Sequence, residues 1–323
     1  MRRHIGIYYI AYLMEDIKMR KKSITTIKIG LQMKKIKNSD NAVVGIVASF
    51  LIIGLIVAVI SVIQTQYVPK WMKEKESEHM DELADQFAQL NYAINTHIVN
   101  QKPKVPISTT ITLGSKEMPY LMSMRAFGQL KILKDRFKIE INGSSNYTKT
   151  AGIIKYSSYN NYFINQEYIY ECGGVILNQN SGNAMYIRPR FDISYIGLWN
   201  ITIKFDIVNI TTIGGKDQSV HGYGPAPIQT EFKVGSDTPI TSVENVKYLN
   251  ITTIYTNSWY NFINSSLRKV GLNSKKDVDN YTISIEDNNK VAVEFHDNMI
   301  ANIELYYYEI GAQIAPGWIE ERK

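Results

Sequence analysis

Between Ala42 and Ile63 the chain reads AVVGIVASFLIIGLIVAVISVI, 22 residues with no charge and no proline, polar only at Ser49 and Ser61. As an α-helix this run is about 33 Å long, enough to cross a hydrocarbon layer of about 30 Å. Its apolar residues lie on every face, whereas a helix of a soluble domain carries a stripe. The pattern predicts a transmembrane helix over 41–66. Tyr67 and Trp71 follow at the level where amphipathic rings prefer the headgroups. Pro69, which has no backbone N–H to donate, is expected to kink or break the helix there. Beyond it, Met80, Leu83, Phe87, Leu90, Ile94 and Ile98 recur at steps of three and four, one face of an amphipathic stalk helix over 67–100. Lys73, Glu74, Lys75, Glu76, Glu78, Asp81, Glu82 and Asp85 form the opposite, solvated face. The apolar face must pack either on the chain's own later domain or on neighbouring subunits. The helix is expected to end near Asn100, ahead of Pro103 and Pro106.

From Val105 onward the period falls to two. Runs rich in Ile, Val, Thr and Tyr, many of them bounded by Gly, Asn, Ser or Pro, predict strands at 107–114, 128–134, 137–141, 152–158, 162–171, 174–179, 185–194 and 198–213. Further strands are expected at 228–235, 246–256, 281–287, 290–296 and 303–311. IEDNNKVAVEF reads as a hairpin across Asp287, Asn288 and Asn289. The helical interruption is SWYNFINSSLRKVGL (258–272), with Trp259, Phe262, Ile263, Leu267 and Val270 inward. The expected fold class is mainly β behind a long N-terminal helix, a β-sandwich or jelly-roll-like domain over 101–323. The Gly/Pro-rich stretch GGKDQSVHGYGPAP (214–227) is the candidate boundary between two lobes.

Charge sets the orientation. Residues 1–40 carry ten Lys and Arg against Glu15, Asp16 and Asp40, a net +7; the whole chain is +6, so the remainder sums to −1. A polybasic flank stays cytoplasmic, which places the domain after the span outside, N-in and C-out. The expected location is the plasma membrane with an extracellular C-terminal domain. A nearly neutral domain also speaks against a nucleic-acid partner. Residues 1–32 hold only a short apolar patch, Ile5 to Met14, and Met33 is the preferred start, which would leave 1–32 untranslated.

No small-x-small cleavage site follows Ile63, so removal by signal peptidase is not expected. Instead a short basic leader with Lys34, Lys35 and Lys37 ends in Asn38-Ser39-Asp40-Asn41, directly before Ala42-Val43-Val44-Gly45. This order resembles the class III leader of archaeal type IV pilins and pilin-like proteins. It lacks the Ser-Pro that many archaeal pilins carry in this motif, and the Glu that bacterial pilins carry near the start of the mature helix. The stalk VPKWMKEKESEHMDELADQFAQLNYAIN and the stretch YSSYNNYFINQEYIYECGGVILNQNSGNAMY (156–186) resemble large pilin-like proteins of methanogen-type archaea. The resemblance implies cleavage near Asp40 and Asn41 by a prepilin-type peptidase, with retention of the apolar helix. It further implies partners in a pilus-assembly machinery and in homo- or hetero-filament subunits, and a structural or adhesive role as a minor component.

The residues themselves offer little chemistry. The five His (His4, His79, His97, His221 and His296) show no paired metal spacing, and no P-loop, GxSxG or GxGxxG occurs. Neither a cofactor nor enzymatic activity is expected. DVDN (277–280) and EDNN (286–289) are acidic turns without the ordered calcium-loop pattern. Cys172 is alone, so no intramolecular disulfide forms. Seven N-x-S/T sequons, at Asn142, Asn146, Asn200, Asn209, Asn250, Asn264 and Asn280, all follow the span; chance pairing of Asn with Ser and Thr gives about three. They are the expected N-glycosylation sites. The competing reading keeps the same targeting but makes the exterior domain a glycan- or ligand-binding module, or an anchored hydrolase with Glu286, Asp287, Glu294 and Asp297 as candidate carboxylates.

Overall fold

The computed structural model describes residues 39–116, 126–197, 199–273 and 280–314. The basic leader, the choice of start at Met33 and the 277–279 part of the DVDN turn lie outside the described residues. The chain divides into two compact units, Met1–Ser61 and Val62–Lys323. The described part of the first lies in helix α1 (Ser39–Val62), which begins two residues before the expected span, so Asp40 and Asn41 lie in its first turn.

The second unit opens with a π-helical turn, Ile63–Tyr67, in which the Val68 N–H reaches back five residues to the Ile63 carbonyl. It continues into α2 (Val68–Asn100) with Pro69 in the first turn. Pro69 therefore does not break the helix. A proline ring clashes with the carbonyl four residues back in α geometry, and the wider turn just before it relieves that clash. At the other end Gln101 takes the left-handed conformation (φ 48°) and its N–H caps the His97 carbonyl.

Among the described residues fifteen strands follow, and about half of those residues are strand. They are β1 (Ile107–Thr112), β2 (Phe127–Asn142), β3 (Asn146–Tyr159), β4 (Gln166–Glu171), β5 (Gly174–Gln179), β6 (Gly182–Ile187), β7 (Phe191–Gly197) and β8 (Asn200–Thr212). After them come β9 (Gln218–Gly222), β10 (Pro225–Gly235), β11 (Thr241–Val243), β12 (Tyr248–Thr252), helix α3 (Thr256–Lys269), β13 (Tyr281–Glu286), β14 (Lys290–Phe295) and β15 (Ile300–Ile314). One sheet has the order β1-β10-β15-β8-β7, with β11 also on β15; the other runs β13-β14-β12-β2-β3-β4-β5-β6, with β9 also on β2. The β15–β8 pair is parallel, from Ile300 opposite Asn200 to Ala312 opposite Thr212. The coarse expectation, mainly β behind a long N-terminal helix, holds.

The long strands each serve two cores. In β2, Leu130 and Ile132 point to one core; after an irregularity between Leu133 and Phe137, residues Phe137, Ile139 and Ile141 point to the other. Asp135 in that irregularity has φ 50°. There 134–136 stand opposite Gly152 alone, two residues more than the ladder needs, which leaves the alternation intact: Leu133 already faces the same core as Phe137, and the two strands expected at 128–134 and 137–141 are one strand with a bulge. The first core joins the two sheets and α3, centred on Trp259, Phe205 and Phe137. The second packs α2 through Met80, Leu83, Phe87, Leu90, Ile94 and Ile98 against Ile111, Tyr156, Tyr168, Ile228 and Ile310. The amphipathic face of the stalk thus lies on the chain's own β domain.

Other expectations shift for local reasons. The strand expected at 185–194 divides into β6 and β7, which belong to different sheets, around Pro189, which cannot donate to a ladder. The strand expected from Tyr162 starts only at Gln166. The stretch 214–227 is not a linker, because β9 within it pairs with β2 along Gly128–Ile132. In α3, Trp259, Phe262, Ile263 and Leu267 are buried as expected, while Val270 lies past the helix end and is half-buried. The Asp287–Asn289 hairpin forms, with Asp287 and Asn288 at φ 50° and 57°.

Candidate functional site

The surface of α1 is the first candidate. From Val44 to Ser61 every residue is exposed within the chain, with Phe50 and Leu51 near 70%. Its two polar side chains are satisfied internally: the Ser49 hydroxyl donates to the Gly45 carbonyl at 2.9 Å and that of Ser61 to Val57 at 2.7 Å. Between Val44 and Ser61 the helix therefore offers a surrounding solvent an apolar surface, with both hydroxyl donors paired. A Cβ added at Gly45 or Gly54 would meet nothing, so both glycines are open to a neighbour. Asp40 and Asn41 sit at the start of this helix.

The second candidate is the seat of α2 on the β domain, and it contains residues that the sequence reading assigned wrongly. Glu76, placed on the solvated face, is fully buried. Its carboxylate accepts three successive backbone N–H groups, from Asn161 at 2.9 Å, Tyr162 at 2.7 Å and Phe163 at 2.6 Å. The spacing did carry the signal: Glu76 is four residues before Met80, on the apolar stripe itself. His79 and His97 also face inward. Each donates from Nε2 to a backbone carbonyl at 2.9 Å, His79 to Thr112 and His97 to Thr230. Burial lowers both imidazoles below the ordinary histidine value. Gln86 completes the seat, accepting the Thr112 N–H at 2.7 Å and donating to the Thr112 hydroxyl at 2.9 Å.

A further buried acid, Glu171, was not singled out from sequence. The Trp259 indole and the Thr253 hydroxyl both donate to its Oε1, at 2.7 and 2.8 Å. Burial pushes this carboxyl up to about 7. Its neighbour Cys172 is buried, and burial pushes that thiol upward too. Of the carboxylates considered for hydrolysis, Glu286 pairs with Lys290, Glu294 accepts from the Tyr248 hydroxyl, Asp297 pairs with Lys247, and Asp287 sits in the hairpin turn between β13 and β14.

The sequons fall in different settings. Asn142 and Asn146 are exposed and face each other across the β2–β3 turn. Asn200 and Asn250 are half-buried on β8 and β12. The Asn209 amide bridges strands, accepting from Gly152 N–H at 2.8 Å and donating to the Tyr307 hydroxyl at 3.0 Å. Asn264 on α3 accepts from the Tyr281 hydroxyl at 2.7 Å. Asn280 is 1% exposed, and its carbonyl oxygen accepts the Asn273 N–H at 3.1 Å.

On the β7–β8 hairpin, Tyr195, Ile196, Gly197 and Trp199 line a shallow groove of about 570 Å³ together with Gly271. The Tyr195 hydroxyl is fixed by donation to the Val270 carbonyl at 2.6 Å. Compared with known protein families, curated proteins and solved structures, the chain matches none.

Proposed function

We propose that this chain is a membrane-anchored cell-surface protein of archaeal type IV pilin-like design, a structural or adhesive component of minor abundance and not an enzyme. In this reading α1 crosses the plasma membrane once, its basic leader stays inside, and the β domain, a two-sheet sandwich of jelly-roll-like kind, is displayed outside with N-linked sugars. A prepilin-type peptidase cuts beside Asp40 and Asn41 and leaves α1 on the mature chain. Lateral packing of such helices, with Gly45 and Gly54 allowing close approach, joins subunits of a filament.

One observation supports this most: the two helical segments have opposite surfaces. The side of α2 that is apolar is consumed by the chain's own sheets, whereas α1 is apolar all round and exposed from Val44 to Ser61. Among the described helices, α1 is the one whose apolar surface is left to meet lipid or another helix. The experiment is sequencing of the mature N-terminus together with fractionation of the producing cells. A terminus at residue 41, within a residue or two, and recovery in sheared filaments agree with the proposal; an intact leader on a purely membrane-bound chain removes the pilin-like part of it.

The groove at Tyr195 and Trp199 favours a second reading, an anchored module that stacks sugar rings on those aromatics. Retention on a glycan array that is lost in Trp199→Ala would favour it; an array without binding would not.

A further inference from the structure

Three of the seven sequons meet on one face of one sheet. In β12 and β2 the core takes Leu249, Ile251, Ile139 and Ile141, so the alternate residues turn outward. Register then sets a row across the outer face: Glu294 opposite Tyr248, Tyr248 opposite Asn142, and Asn142 opposite Asn146. Asn250 lies on the same face, two residues along β12 from Tyr248. Directly opposed residues of an antiparallel pair hold their Cβ atoms about 4.5–5.5 Å apart, so the amide of Asn142 and the ring of Tyr248 are neighbours.

Of the two sequons beside that ring, Asn142 is exposed and Asn250 half-buried. The Asn142 backbone is fixed: the Lys247 N–H donates to its carbonyl, and the Ser144 N–H donates to the Glu244 carbonyl, both at 2.8 Å. Among the described residues no hydrogen bond ties down the Asn142 side-chain amide, whereas that of Asn209 is spent on the Tyr307 hydroxyl. Tyr248 is 41% exposed, and its hydroxyl donates to Glu294 Oε1 at 2.9 Å, which restrains the ring on the outer face. A sugar ring carries a face of C–H groups that packs on an aromatic ring while its hydroxyls stay in water. A sugar joined to the Asn142 amide starts beside such a ring, already held in place, so little ordering opposes the contact.

We propose that Tyr248 seats the first sugar of an N-linked chain on Asn142, which makes the outer face of β12, β2 and β3 a sugar-covered face of the domain. The proposal rests on the reading of the sequons as glycosylation sites, and its test separates the two. The full chain is extracted in detergent from its producing cells as the parent, Asn142→Gln, Tyr248→Thr and the double variant. Threonine suits an outward strand position, so the fold is kept. Glycopeptide mass spectrometry gives the occupancy of each sequon in each variant, and thermal unfolding gives the stability. With Asn142 occupied, Tyr248→Thr should lower the unfolding temperature by about 2–4 °C more than it does in the Asn142→Gln background. Tyr248→Phe, which keeps the ring, should keep most of the parent's stability. A Tyr248→Phe loss as large as that of Tyr248→Thr assigns the effect to the Glu294 hydrogen bond and overturns the ring contact. Equal drops in the two backgrounds overturn the contact and leave the glycosylation reading standing. Sugar at other sequons and none at Asn142 does the same. No sugar at any sequon overturns the contact and the sugar-bearing part of the reading together.

Discussion

Glu76 and Glu171 are both buried carboxyls, and their surroundings treat them differently. Glu76 meets three backbone donors, and a glutamine there would turn an N–H₂ group toward them. Leaving one buried N–H unpaired costs about 1–3 kcal/mol, so Glu76→Gln should lower unfolding stability by that much in the detergent-solubilised chain. Glu171 meets two donors on one oxygen, and desolvation dominates. Its carboxyl rises from 4.5 in the unfolded chain to about 7 in the fold, so the folded state holds the proton more tightly. The stability it contributes is complete below pH 4.5 and is lost as pH rises through about 7, on the order of 3 kcal/mol. His79 and His97 move oppositely: burial lowers them, so they withdraw stability as pH falls below 6.5. Subtracting the pH profile of Glu171→Gln from that of the parent cancels the histidines. The difference should fall between pH 4.5 and 7; a flat difference would show that Glu171 is not held protonated in the fold.

At the scale of elements, α2 is a wall of the β domain rather than a free stalk. Phe87→Ala should therefore cost about 3–5 kcal/mol of domain stability, while Tyr92→Ala on the outward face should stay within about 0.5 kcal/mol. Equal, small effects in thermal unfolding would mean that the helix does not belong to that core. For α1, Leu55→Arg should cost about 3 kcal/mol of insertion and mislocalise the chain; normal membrane recovery of that variant would count against a span. Both helices were legible in the sequence because their periods run unbroken over many turns. Glu76 was misread because its charge was weighed above its place on the 76–80–83–87 stripe. The strands were legible where Ile, Val and Tyr alternate, and less so where a tertiary contact decides. The bulge at Leu133–Phe137 merges two runs, Pro189 divides one, and Glu76 keeps Tyr162 and Phe163 out of β4. The β9 strand hides in a Gly/Pro stretch, where pairing with β2 outweighs local composition. Of the candidate site, the apolar surface was readable from composition, whereas Glu171 and the Tyr195–Trp199 groove depend on residues far apart in the chain.

For the whole molecule, the account joins a lipid-facing helix to a domain that carries sugars, and both parts leave traces. Glycopeptide mass spectrometry of native material should find occupancy at Asn142 or Asn146, on an open turn, and none at Asn280, which the fold encloses. Occupancy confined to Asn280 would mean that the exposed turn is not what the glycosylating enzyme meets. The most direct test of the central claim uses the Asn288→Cys chain in intact cells and a thiol reagent that cannot cross membranes, since Cys172 is buried and silent. The account predicts labelling before lysis, on a chain that stays with the membrane through an alkaline wash. Labelling only after lysis, or a chain released by the wash, would contradict it.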